Sequence, residues 1–194
     1  MQYPLELTFK LWAFAPQMSV VDAQGNLAFY VKQKLFKLKE AITIFADTEQ
    51  TRPIYYINAD RIIDFSARYN FTDSNGTYIG SVKRRGLKSL WRARYDIFDG
   101  DTTTLNIQEK NPWVKIADAL FAEIPIVGMF TGYVFNPVYL VSRDDGTIVM
   151  RLEKIPTFLS RKFIIKAVDQ LSDRQEQQIL LSLMMMLLLE RNRG

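Results

Sequence analysis

Ile179-Leu180-Leu181-Ser182-Leu183-Met184-Met185-Met186-Leu187-Leu188-Leu189 is a run that would present no polar face as a helix. A helix that is apolar all round has to be enclosed by protein or by lipid. Just ahead of it, Ser172-Asp173-Arg174-Gln175 has the spacing of a capping box, in which serine and glutamine satisfy each other's backbone N–H groups. A helix is therefore predicted from Asp173 to about Arg191. Length chooses between the two surroundings. Eleven residues at about 1.5 Å rise span only some 17 Å, against a hydrocarbon layer of about 30 Å that needs roughly 20 residues. Protein is the expected enclosure, with the charged flanks 174–178 and 190–193 at its two mouths.

What could enclose such a helix is written upstream as a repeat. Asp47, Asp73 and Asp99 are each 26 residues apart, and Asp22 lies 25 before the first. Thr43, Tyr69 and Tyr95 stand four residues before the last three aspartates, and Phe45, Phe71 and Ile97 two before, a period-2 pattern that puts each pair on one strand face. After each aspartate comes a turn-prone stretch such as Ala23-Gln24-Gly25-Asn26 or Ser74-Asn75-Gly76-Thr77. Each unit thus reads as strand, turn, strand. The phase resumes at Asp144-Asp145-Gly146-Thr147, with Asp169 25 residues beyond Asp144, so six units give about twelve strands. Strands are expected at 5–12, 18–21, 27–33, 53–58, 78–83, 103–108, 137–142, 147–153 and 162–168, with partners ahead of each aspartate. A barrel of about twelve strands is too wide for its own side chains to fill, and the C-terminal helix solves that packing problem. Consecutive methionines suit the irregular gaps between helix and wall. The expected architecture is mainly β, a closed antiparallel barrel around a hydrophobic helix, in one domain covering 1–194.

Composition narrows the chemistry. Aromatic residues at 13% favour strands. The absence of cysteine removes disulfides, thiolate metal sites and thiol nucleophiles, and the absence of histidine removes the commonest general base and metal ligand near neutral pH. No glycine-rich phosphate loop or activated nucleophile is visible, so neither an enzymatic role nor a cofactor is expected. A net charge of +4 mildly favours anionic partners. The first residues lack a basic start followed by an unbroken apolar run, so a signal peptide is not expected and a cytoplasmic location, peripheral at a membrane at most, is the expectation.

The period is interrupted by residues 111–135. Asn111-Pro112 suits a helix start, and Val114, Ala117, Leu120 and Phe121 share a face, which predicts a short helix to about Glu123. The apolar stretch after it carries Pro125, Gly128 and Gly132 and is expected to be irregular.

Three stretches carry a resemblance: Tyr30-Val31-Lys32-Gln33-Lys34-Leu35-Phe36-Lys37-Leu38-Lys39, Arg92-Ala93-Arg94-Tyr95-Asp96-Ile97-Phe98-Asp99, and the final helix. Together they resemble the tubby-like superfamily, which holds tubby domains, phospholipid scramblases and the LURP-one-related proteins, and most of all its LURP-one-related members. The resemblance implies a twelve-strand barrel around a C-terminal helix and a non-catalytic binding or scaffold role. Tubby domains of the superfamily bind phosphoinositide headgroups, so anionic lipid enters as an analogy across a shared fold. A scramblase-like protein whose C-terminal helix inserts in the bilayer is the alternative.

Lys83, Arg84, Arg85, Lys88, Arg92 and Arg94 crowd twelve residues, with Trp91 among them. On an external loop these six cations would hold phosphate oxygens while Trp91 sits at a membrane interface. The plainer reading is a solvated connection whose charges discourage edge pairing. Lys32, Lys34, Lys37 and Lys39 read as an outward lysine stripe. Nucleic acid ranks below lipid, because no base-reading motif accompanies the charge, and a protein partner stays open. The turns Asp73-Ser74-Asn75-Gly76 and Asp144-Asp145-Gly146 lack the distal glutamate of a calcium loop, which favours turn chemistry and no metal. Asn136-Pro137-Val138-Tyr139 is read as the start of a strand.

Overall fold

In the computed structural model, residues 1–10, 17–32, 42–61, 67–86, 94–110, 137–157 and 160–191 are described. They form twelve antiparallel strands: β1 (Leu5–Lys10), β2 (Gln17–Val21), β3 (Leu27–Lys32), β4 (Ile42–Phe45), β5 (Pro53–Ala59), β6 (Arg68–Asp73), β7 (Tyr78–Arg84), β8 (Arg94–Asp99), β9 (Thr102–Glu109), β10 (Val138–Arg143), β11 (Ile148–Ile155) and β12 (Ser160–Ala167). Each strand pairs with its neighbours in sequence, and β1 pairs with β12 from Leu5 opposite Ile165 to Lys10 opposite Ser160, which closes the barrel. Closure leaves no unpaired edge. The helix predicted at 111–123 lies outside the described residues.

The C-terminal helix spans Asp173–Arg191. Its capping box forms as spelled: the Gln175 backbone N–H donates to Ser172 Oγ at 3.3 Å, and the Ser172 N–H donates to Gln175 Oε1 at 3.2 Å. From Gln178 to Leu188 every helical residue is buried, together with the inward side chains of the strands around it. Gln178 fits because its Nε2 donates to the Ile79 carbonyl at 2.8 Å, and Ser182 because its Oγ donates to the Gln178 carbonyl at 2.6 Å. At Gly80 the helix comes so near β7 that a Cβ would lie 2.9 Å from both Gln178 Cγ and the Phe98 carbonyl oxygen.

The strand directions gather all the aspartate turns at one end of the barrel, called here the turn end. The carboxylates make those turns. Asp73 Oδ1 accepts from the N–H of Asn75 and Thr77 at 2.9 and 2.8 Å, and Gly76 supplies the positive φ of 83°. Asp22 accepts from Gln24 and Asn26 in the same way. At two units the aspartate lies one residue out of phase with the turn it marks. In the turn between β10 and β11, the place of Asp22 and Asp73 is taken by Arg143, whose N–H and carbonyl bond Thr147 and Gly146. In the longer turn between β4 and β5, Ala46 takes it, and Asp47 caps from one position later. A one-residue shift exchanges the faces of a strand. Ile42 and Ile44 therefore point into the core, and the half-buried Thr43 and Phe45 do not, whereas Tyr69, Phe71, Tyr95 and Ile97 are buried as the pattern predicts.

Candidate functional site

The two ends of the barrel differ in charge. At the turn end, Asp22, Asp47, Asp73, Asp99, Asp101, Asp144, Asp145 and Asp169 outweigh the cations that reach them, Arg52, Arg68, Arg143 and Arg174. All four of those cations bind back to aspartate: Arg174 grips Asp99 with two hydrogen bonds of 2.8 and 3.2 Å, Arg143 bonds Asp169, Arg68 meets Asp101 at 3.1 Å and Arg52 meets Asp47 at 3.7 Å. At the opposite end, where β1, β3, β5, β7, β9 and β11 finish, the described cations Lys10, Lys32, Lys83, Arg84, Arg85, Arg94, Lys110, Lys154 and Arg161 outnumber the acids Asp60, Glu109 and Glu190.

The basic cluster predicted from sequence falls at this second end and divides in two. Lys83 and Arg94 lie on the outer face, Lys83 half-buried opposite Asp96 and Arg94 exposed opposite Gln108. Arg85, just past the end of β7, bonds Asp96 Oδ2 through its Nε at 3.0 Å and keeps its side chain 63% exposed. Its backbone N–H donates to the Arg94 carbonyl at 2.8 Å, so the two arginines are held side by side. Lys83 also contributes, after the main hydrogen bond from Arg61, to holding the Asp60 carboxyl below the usual range. Arg84 is different. Strand alternation turns it inward, only 6% exposed, with its guanidinium 3.8 Å from Glu190 on the C-terminal helix. It is a mouth residue and not part of an external surface. Lys88, Trp91 and Arg92 lie outside the described residues; Lys32 is exposed on β3, and Lys34, Lys37 and Lys39 are again outside.

Inside the mouth, Glu190 joins the helix to the wall, accepting from Tyr95 Oη at 2.5 Å as well as facing Arg84. Burial, then the Glu190 hydrogen bond, raises the Tyr95 phenol far above its ordinary range, so it remains a neutral donor. On the other side of Glu190 a cavity of about 130 Å³ opens between the helix and β10, β11, β12 and β1. Phe9, Phe163 and Leu187 form its apolar floor, and Tyr139, Lys154 and Arg161 bring polar groups to it. Sequence reasoning missed Lys154 and Arg161. The predicted strands stopped at 153 and began at 162, one residue short of each. The signal was present, since Met150, Leu152 and Lys154 alternate on one face, as do Arg161, Phe163 and Ile165.

Among the described residues no cluster of acids is placed to hold a metal ion, and no helix is long and apolar enough to cross a membrane. The Asp73 carboxylate is committed to backbone N–H groups, which lower its pKa.

Fold and mouth together define a class of protein: a closed, mainly β barrel threaded by its own apolar helix, with an acidic end and a basic one. The sequence model of the LURP-one-related family matches residues 27–165, and the chain belongs to that family. No curated protein matches it significantly. Among solved structures, an X-ray structure of a protein from Arabidopsis thaliana is similar at 16% identity and a TM-score of 0.48, covering 98% of this chain and 92% of that one.

Proposed function

We propose that this protein is a non-catalytic binding module that recognises anionic phospholipid headgroups through the outer face of its basic end, with Lys83, Arg85 and Arg94 as its described contacts. Lys88, Trp91 and Arg92 complete the set on sequence grounds. The observation that carries this reading is the separation of charge along the barrel. A molecule acidic at one end and basic at the other is oriented by a negative surface before it touches it. Non-catalytic action is supported by the helix, which occupies the barrel interior where an enzyme of this shape would need a substrate cleft.

The alternative, a scramblase-like protein with its C-terminal helix in the bilayer, has less support. The apolar surface of that helix is already enclosed by the barrel from Gln178 to Leu188.

Cosedimentation with vesicles tests the proposal. Wild-type protein is expected to pellet with acidic vesicles and not with neutral phosphatidylcholine. Each surface cation contributes about 1 kcal/mol at an anionic leaflet, so the triple variant Lys83→Gln, Arg85→Gln, Arg94→Gln should bind about 100-fold more weakly. Equal pelleting of wild type and triple variant, or no preference for acidic vesicles, would sink the lipid reading. Arg84 is left out because neutralising it would strand Glu190 in the mouth.

A further inference from the structure

We propose that Tyr139, Lys154 and Arg161 form a phosphate-binding pocket inside the basic mouth of the barrel, distinct from the outer-face cations. The three side chains come from adjacent strands. In the β11–β12 register Lys154 stands opposite Phe163, two residues from Arg161, and in the β10–β11 register Tyr139 stands opposite Leu152, two residues from Lys154. Tyr139 and Lys154, and Lys154 and Arg161, are thus diagonal neighbours on the inner face, about 7–8 Å apart and within reach of one bridging group. All three line the same cavity of about 130 Å³.

Lys154 is half-buried and Arg161 exposed, so both stand at the lip of the mouth with their charges over the cavity. Among the described residues neither Lys154 nor Arg161 has a carboxylate within ion-pair distance, whereas the outward Lys162 and Lys166 are paired with Glu6 and Glu153. Glu190 forms one wall of the cavity, but its Oε1 is taken by Tyr95 and faces Arg84 on the far side. The pocket therefore gathers two cations that have no ion-pair partner among the described residues, the Glu190 carboxylate in its wall, and the phenol of Tyr139, which is 8% exposed. Burial and the nearby Glu109 and Glu190 raise the Tyr139 pKa, which keeps its O–H as a donor.

A guanidinium fork, an ammonium and a phenol O–H aimed from three strands match an oxyanion with several acceptor oxygens around one centre. A phosphoryl group has that form and carries enough charge to answer both cations. The apolar floor of Phe9, Phe163 and Leu187 offers nothing to a second polar group, so the ligand is inorganic phosphate or the phosphomonoester end of a larger molecule.

Titration of the full chain with inorganic phosphate, followed by calorimetry, tests the pocket. One site is expected, weakened at least tenfold in the double variant Lys154→Gln, Arg161→Gln. Tyr139→Phe, which keeps the ring and removes only the donor, should weaken it three- to tenfold. Lys162→Gln, one residue from Arg161 but on the outer face, should leave phosphate affinity unchanged. Circular dichroism of each variant secures the fold, and Tyr139→Phe carries the test if the double variant is unfolded. Two further ligands separate the sources. Phosphatidic acid vesicles that lose binding in the Tyr139→Phe protein identify a headgroup, and glycerol phosphate binding without any vesicle effect identifies a soluble monoester. Absence of phosphate binding by wild type, or equal affinity in wild type and folded variants, would overturn the pocket. Because this readout uses free phosphate, it can fail while the outer-face vesicle test succeeds, and the reverse.

Discussion

At Gly80 one missing side chain decides how close helix and wall can come. A Cβ there would meet Gln178 Cγ and the Phe98 carbonyl oxygen at 2.9 Å, and the second of these is backbone that cannot swing away. Gly80→Ala should lower stability by about 1–3 kcal/mol, the usual cost of overpacking, read as a shift in urea midpoint at unchanged slope. The turn carboxylates have an opposite character: they sit at the surface, half-buried or exposed, and their effect appears with pH. Backbone N–H groups lower the pKa of Asp47, Asp73 and Asp145, chiefly those of Thr51, Thr77 and Thr147, and the Arg174 hydrogen bonds lower that of Asp99. A carboxyl whose pKa falls on folding contributes stability above its unfolded value and loses it as pH drops through the folded one. Stability should be level above about pH 5 and decline below about pH 4, and Asp99→Asn should flatten that decline in acid-unfolding curves. The buried phenols work on the other side. Tyr95 and Tyr139 have raised pKa values, so their contribution is complete below about pH 10 and is lost as pH rises beyond it.

Among the elements, the C-terminal helix is the one the barrel cannot do without. Leu181, Leu183, Met185 and Met186 are fully buried, and among the described residues the helix is the one element that fills the space between the inner walls. Leu183→Ala should cost about 2–5 kcal/mol, whereas Met186→Leu, which keeps volume, should cost less than about 1.5 kcal/mol. Deleting everything after Leu171 should leave an unfolded chain without near-ultraviolet dichroism. A lipid-inserted helix would predict the reverse, a stable barrel released by the deletion. Turns contribute through register, and there the sequence misleads. The aspartate period locates the hairpins, but the Asp47 and Asp144 units are one residue out of phase, since Ala46 and Arg143 hold the closing positions. Turn length, which sets that phase, is invisible until the hydrogen bonds are known.

For the whole molecule, the separation of charge is the property most open to test. Attraction between the basic end and an acidic surface acts over the Debye length, about 30 Å at 0.01 M salt and about 8 Å at 0.15 M. Vesicle binding should fall steeply across that range, and a flat salt response in the cosedimentation assay would contradict an electrostatic mode. Phosphate held in the mouth should be less sensitive, because a partly enclosed pair of charges is screened less than an exposed one.

The amino-acid sequence by itself determined the two parts of this fold, since both rest on local periodicity. An apolar run too short for a bilayer requires a protein enclosure, and a hairpin repeat of about 26 residues supplies one wide enough to need filling. It also determined that Lys83, Arg85 and Arg94 would lie near one another, because they are close along the chain. Only the tertiary structure decided which way Arg84 points, and it decided that Lys154 and Arg161 share a cavity with Tyr139 and Glu190. Those placements depend on strand ends, on register across three strands and on where the helix terminates. All of these arise from barrel closure, which pairs residues as far apart in sequence as Leu5 and Ile165.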